Sequence, residues 1–308
     1  MRKFFVKTVE DLAEEDPRVV LLTGDLGYGW LDEFRRRFPD QFLNAGVAEQ
    51  NMTAMACGMA LSGARVFTYS IANFSTLRCI EQIRNDVCYH RANVVVVAMG
   101  GGFSYGQLGM SHFATEDLAM MRTLPGLTVV APSDAWQVNV LTRQLHAQEG
   151  PGYLRLDKGG AGLPEQPEAI RLGKARVIRK GSDVAIFAIG SILGSAIHAA
   201  ELLAQHHIST QVVEIHTLKP LDHKSIVGIS REIPAIVTLE EHSVIGGLGS
   251  AVAEICLEAG APPRTFLRIG LSDEYTEVVG DQNYLRKLHG LDAESVKERV
   301  LKLLRKRH

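Results

Sequence analysis

The run ANVVVVAMGG, residues 92–101, is apolar through its whole middle, and similar runs recur along the chain. A strand with one face in water alternates polar and apolar side chains, so a strand without alternation must be covered on both faces. RVVLLTGD, QFLNAGV, ARVFTYS and LTVVAPSD repeat the pattern, between stretches that read as helices over 47–61, 77–89, 115–123 and 134–148. Strand and helix alternating in this way imply a parallel sheet between helix layers. A second series follows: DVAIFAIGS, TQVVEIHTL, AIVTLEEH and TFLRIGL. It closes with a helix from about Ala293, with Asp292 as its N-cap and Val296, Val300, Leu303 and Leu304 on one face. Between the two series, DKGGAGLPEQPEAIRLGK breaks every periodicity with four glycines and two prolines. The sequence predicts an α/β chain of two domains, each a mostly parallel sheet flanked by helices: residues 1–160, a linker over 161–175, and residues 176–308.

The totals exclude several classes. A formal charge of -2 and a basic cluster confined to the terminal KLLRKRH point away from nucleic acid. MRKFFVKTVEDLAEEDP reaches acidic residues too soon for a signal peptide, and no stretch of about 18 uncharged apolar residues follows to cross a membrane. A cytoplasmic protein is expected. Cys57, Cys79, Cys88 and Cys256 form no C-x-x-C pair, so buried reduced thiols are expected rather than a disulfide framework or metal knuckle.

Ligands of open parallel sheets bind beyond the carboxyl ends of the strands, which directs attention to four turns. TGDLGYGW sets Asp25 and Leu26 between glycines; by itself it is an ordinary tight turn. FLNAGVAEQNM places Glu49 where a helix opens, a position that the helix dipole alone would favour by ~0.3–1 kcal/mol. In YSIANFSTLRCIEQIR, Phe74 precedes a helix, and such a ring is core unless a flat ligand needs a stacking face. MGGGFSYGQLGMSHFATEDLAMMR combines a three-glycine run, able to lie over a ligand, with His112 just before a helix. A histidine at the mouth of such a loop suits acid and base work. Two nucleotide signatures fail: VIGGLGSAV has Val252 where the third glycine of G-x-G-x-x-G belongs, and no P-loop occurs.

Three of these motifs, GVAEQNMTAMACGMALSG, GQLGMSHFATEDLAMMRTLPGLTVVAPSD and VTLEEHSVIGGLGSAVAEI, resemble in order and spacing the glutamate helix, the histidine loop and the C-terminal domain of thiamine-diphosphate enzymes of the transketolase and deoxyxylulose-phosphate synthase group. The resemblance spans the whole chain. It implies a pyrimidine-binding domain followed by a transketolase C-terminal-like domain. It makes Glu49 the acid that hydrogen-bonds N1′ of the aminopyrimidine and favours its imino tautomer, and Phe74 the ring stacked on it. Asp25 and Leu26 match the Asp-Leu pair near the cofactor, and His112 the histidine that binds the donor hydroxyl. The implied reaction moves a two-carbon ketol unit from a ketose to an aldehyde through a thiamine-diphosphate enamine.

The family's diphosphate half carries a G-D-G motif with a later Asn that ligate a divalent metal, and neither GDLG nor GDQN supplies it. The resemblance therefore implies a split enzyme. An N-terminal diphosphate-binding subunit would provide the ligands for Mg2+ or Ca2+, and the site would form between subunits, in an α2β2 assembly. Departures bear on the substrate. Leu108 stands where the sugar enzymes have an aspartate for a donor hydroxyl, and Gly29, Gly100 and Lys158 replace a phosphate-binding serine, histidine and arginine. Lysine binds phosphate only as a point charge. Simple sugar phosphates are thus not expected to be the best substrates, and a non-phosphorylated, modified or nucleotide-linked sugar is. Two rivals stay open here: the β subunit of a 2-oxoacid dehydrogenase E1 component, and a non-catalytic nucleotide-binding module.

Overall fold

The computed structural model describes residues 1–305, so the last three residues of KLLRKRH lie outside the described residues. The first half contributes β1 (Val19–Thr23), β2 (Phe42–Asn44), β3 (Arg65–Ile71), β4 (Val94–Met99), β5 (Thr128–Val130) and β6 (Gly152–Leu156). The second contributes β7 (Arg176–Arg179), β8 (Val184–Ile189), β9 (Thr210–Ile215), β10 (Thr217–Lys219), β11 (Ala235–Ser243) and β12 (Thr265–Leu271). One sheet runs β10-β5-β6-β4-β3-β1-β2 and the other β12-β11-β8-β9-β7. Pairing is parallel except at β10 on β5 and β7 on β9.

The uniformly apolar strands are buried on both faces, as their composition requires. In β1 and β4, Val20, Leu22, Val94 and Val96 face one apolar cluster with Met52 and Ala56 of the helix Glu49–Leu61. Val19, Leu21, Val95 and Val97 face another, formed with Phe5, Val9 and Leu12 of the helix Arg2–Glu15 and Leu141 and Leu145 of the helix Ala135–Ala147. The first cluster continues into Phe187, Ile189, Val213 and Ile215 of the second sheet, so the two halves share apolar core across their boundary. All four cysteines are buried and free. Among the described residues, no helix is long and apolar enough to cross a membrane.

Several elements depart from the sequence reading. The helix Arg2–Glu15 and strands β6, β7 and β10 join those anticipated. The expected helix over 77–89 arrives in pieces: Ala72–Thr76, a 3-10 turn Leu77–Cys79, Ile80–Gln82, and π-helical Ile83–Cys88. Side chains compete there for helix carbonyls, since the Thr76 hydroxyl donates to the Ala72 carbonyl (2.6 Å) and the Cys79 thiol to that of Phe74 (3.3 Å). At the other end of the chain Asp292 accepts from the Ser295 amide (3.3 Å), capping the helix Ala293–Arg305 as anticipated. Residues 161–175 contain only one short 3-10 turn, yet they are tied down: the Leu163 amide donates to Asp134, and Gln144 bonds both Ile170 and Leu172. The first sheet also reaches past residue 160, because β10 supplies one of its edges.

Candidate active site

The parallel strands β1, β2, β3 and β4 end side by side, and their following turns carry the residues singled out above. After β2 the chain turns at Gly46 (φ +76°), whose amide donates to Asn44 Oδ1 (3.0 Å), and the helix begins at Glu49. No side chain caps that helix, so a carboxylate in the first turn faces unsatisfied amides and the positive end of the dipole. Glu49 is only 2% exposed. Its Oε2 accepts from Arg78 Nη1 at 2.7 Å. A Cβ on Gly24 would stand 3.3 Å from Glu49 Cγ, so the glycine after β1 makes room for the acid.

From Glu49 a line of side chains leads across the strand ends. The Arg78 guanidinium lies 4.7 Å from the centre of the Phe74 ring. Phe74 meets His112 edge-on, ring centres 5.1 Å apart, and His112 meets Tyr105 at 6.2 Å. Lys158 Nζ sits 4.0 Å from the centre of the Tyr105 ring, beside a cavity of about 780 Å³ that Gln107, Leu108 and Arg286 also line. The loop bearing His112 is pinned by the Gly102 and Ala114 backbones, which exchange bonds of 2.8 and 3.0 Å, and by Asn73, which donates to the Ser111 carbonyl (2.8 Å). Ser111 Oγ lies 3.0 Å from His112 Nδ1. Burial pushes the His112 imidazole below its ordinary value, favouring the neutral ring at pH 7.

Glu49, Phe74, His112 and Lys158 are thus brought together. Asp25 and Leu26 stand apart at the adjoining turn, next to Gly24 and joined by Asn44 to the Gly46 turn that precedes Glu49. Asp25 takes φ +56°, and its carboxylate accepts from Asn44 Nδ2 (2.9 Å) and the Tyr28 hydroxyl (2.8 Å), which lower its pKa in that order. Leu26 packs on the cluster around Leu31 and Phe34. Two members of the line, Arg78 and Tyr105, were not anticipated. The spacing of Arg78 from Phe74, four residues along a helical stretch, is a signal that could have found it. Tyr105 also accounts for Gly100, because a Cβ there would fall 2.1 Å from the Tyr105 ring and a histidine could not fit.

Comparison with known proteins decides what this arrangement belongs to. The transketolase pyrimidine-binding domain matches residues 1–162, and the transketolase C-terminal domain residues 173–296. The chain belongs to the transketolase family. Among its relatives, an apulose-4-phosphate transketolase subunit from Phocaeicola vulgatus is 35% identical, over 99% of this chain and 97% of its own. A 6-deoxy-6-sulfo-D-fructose transketolase subunit of a Clostridium species is 36% identical, over 96% and 92%. A solved split-gene transketolase, described as an inactive β4 tetramer, superposes with a TM-score of 0.89 at 37% identity, covering 98% of this chain and 97% of that one. These two relatives of matching length are transketolase subunits, and the 2-oxoacid dehydrogenase reading is not favoured.

Membership in the transketolase family implies thiamine diphosphate, and the residues present fit its pyrimidine end. Glu49 is a buried acid whose ion partner, Arg78, is 46% exposed. The Phe74 face already holds a flat group, the Arg78 guanidinium, and an aromatic face of this kind can stack on a planar ring.

Proposed function

We propose that this chain is the pyrimidine-binding half of a split transketolase, which transfers a two-carbon ketol unit from a ketose to an aldehyde. The single observation that carries the reading is the unbroken line from buried Glu49 through Arg78 and Phe74 to His112. Thiamine diphosphate, when bound, supplies the nucleophilic carbon; the cofactor carries the hard step and the protein orients it. Glu49 holds a ring nitrogen by hydrogen bond in a place closed to water, and Phe74 gives the ring a stacking face. Asp25 and Leu26 bound the cofactor at the next turn. His112, neutral and set at the rim, holds the donor hydroxyl and exchanges its proton. Lys158 takes an anionic group at the far end of the substrate.

Mg2+ or Ca2+ accompanies the diphosphate, with ligands from an N-terminal partner subunit in an α2β2 assembly. Among the described residues no group of three His, Cys, Asp or Glu could hold a metal. The relative described as an inactive β-only tetramer supports the need for a second polypeptide. Four buried free thiols support a reducing, cytoplasmic setting.

His112 provides the test. In the assembled enzyme, His112→Ala lowers kcat/KM for a ketose donor by about 10²-fold. Burial depresses the His112 pKa, so the neutral ring persists below the ordinary histidine value. Activity should therefore hold through pH 6.5 and fall only as the pH passes the depressed value, and the pH-rate profile of His112→Ala should lack that limb. Undiminished turnover in His112→Ala would refute the role. Substrate choice gives a second check. Leu108 offers no hydrogen bond to a donor hydroxyl, and a missing polar partner costs ~1–3 kcal/mol, so a modified sugar should outpace xylulose 5-phosphate with ribose 5-phosphate by about tenfold or more. The sulfosugar-directed relative supports this choice.

A further inference from the structure

The three-glycine run has the composition of a cradle for a ligand, but each missing Cβ faces the protein itself. On Gly100 a Cβ would strike Tyr105, on Gly101 it would fall 1.9 Å from Arg155 Nε, and on Gly102 (φ +57°) it would fall 2.6 Å from Glu241 Oε1. The loop is pressed onto two charged side chains, and Glu241 comes from β11, in the second sheet. Its carboxylate accepts from the Phe103 amide at 2.6 Å, from Gln282 Nε2 at 3.0 and 3.1 Å, and from Arg286 Nε at 2.6 Å. Its own carbonyl accepts from Arg155 Nη2 (3.0 Å), and the same nitrogen reaches the Ala114 carbonyl at 3.3 Å. Glu241 therefore meets both stems of the loop: directly at Phe103, and through Arg155 at Ala114, two residues after His112. The two stems are themselves joined by the Gly102 and Ala114 bonds.

We infer that Glu241, reaching from the C-terminal domain onto Phe103 and Arg155, is a positioning residue that sets the place of His112. This rests on the role proposed for His112. A charge-assisted bond from a carboxylate to a backbone amide is short and directional, and Arg286 and Gln282 fix the carboxylate in turn. Through this acid the C-terminal domain holds the loop that bears His112. A histidine that must meet a donor hydroxyl within hydrogen-bond range tolerates little displacement, and a misplacement of about 1 Å can cost about 10²-fold.

Two measurements test it. In the chain alone, hydrogen–deuterium exchange in Glu241→Gln should rise by about tenfold across residues 100–115 and stay unchanged across Glu49–Leu61. Unchanged exchange in the loop overturns the inference. In the enzyme assembled with its partner, with hydroxypyruvate as donor and glycolaldehyde as acceptor, Glu241→Gln should lower kcat by about tenfold. The double variant Glu241→Gln/His112→Ala should be no slower than His112→Ala, because the acid acts through the histidine. Losses that multiply overturn the positioning role while leaving that of His112 standing; a fully active His112→Ala overturns both. Should Glu241→Gln fail to fold, Gly102→Ala, which intrudes on the same carboxylate from the loop side, is read in the same two assays with the same expected and overturning results.

Discussion

Glu49→Gln is expected to lower kcat by about 10³-fold and to reduce deuterium exchange at C2 of bound thiamine diphosphate toward the rate of the free cofactor. The amide has nearly the shape of the acid and can still reach a ring nitrogen, but it cannot bear the charge that draws a proton-carrying tautomer. The fold should survive. Glu49 is 2% exposed, yet its partner Arg78 is nearly half exposed, so the substitution strands no buried cation. Removing a buried charge also relieves its desolvation cost, and the unfolding free energy should move by less than about 1 kcal/mol. Glu49→Asp is the companion: it keeps the charge but withdraws it by a methylene, and should cost about 10²-fold through misplacement alone. Two variants that differ in charge and reach separate those contributions. Retention of more than about a tenth of the activity in Glu49→Gln would dismiss the acid from the chemistry.

What the sequence disclosed, and what it hid, divides along a physical line. β1, β4, β8 and β11 were legible because a run such as VVVVAM has one way to escape water. β6 was not: GYLRL opens on glycine and contains Arg155, which looks solvated but is 4% exposed and paired with Asp117. Such a charge is stabilised by a partner 38 residues away, which local pattern cannot register. The helix Arg2–Glu15 has Phe5, Val9 and Leu12 at helical spacing, a signal open to pattern reading but masked by the charged residues that crowd between them. In the site, Glu49 and His112 stood out because each sits where strand turns to helix. Arg78, Tyr105 and Glu241 did not, because their meaning lies in contacts made across the sheet or between domains. The glycine run shows the same limit: its composition suggested an open cradle, whereas Arg155 and Glu241 from distant strands fill it.

Leaving out the partner polypeptide should abolish ketol transfer altogether, a larger effect than any single substitution. In the proposed reading Glu49 and Phe74 serve only the pyrimidine end of the cofactor, while a diphosphate needs a hard cation with oxygen ligands, and among the described residues no group of three or more His, Cys, Asp or Glu could hold one. The surface around the site is also unfinished. Tyr28, Val47, Leu77 and Leu108 are each next to or within four residues of Asp25, Glu49, Arg78 or His112, and all four are exposed. Large exposed apolar side chains on the loops that carry the polar site residues suit a face that another protein covers. Purified chain supplied with thiamine diphosphate and Mg2+ should show no turnover. Titration with a polypeptide of about 250–300 residues bearing the G-D-G metal motif should raise activity to a plateau at equal stoichiometry. Val47→Asp should shift that titration to higher partner concentration by about tenfold, because a carboxylate would be buried in an apolar contact. Cofactor- and metal-dependent turnover by the chain alone, undiminished on dilution and free of any second polypeptide, would mean that the diphosphate is held by residues of this chain, and the split-site reading would be wrong.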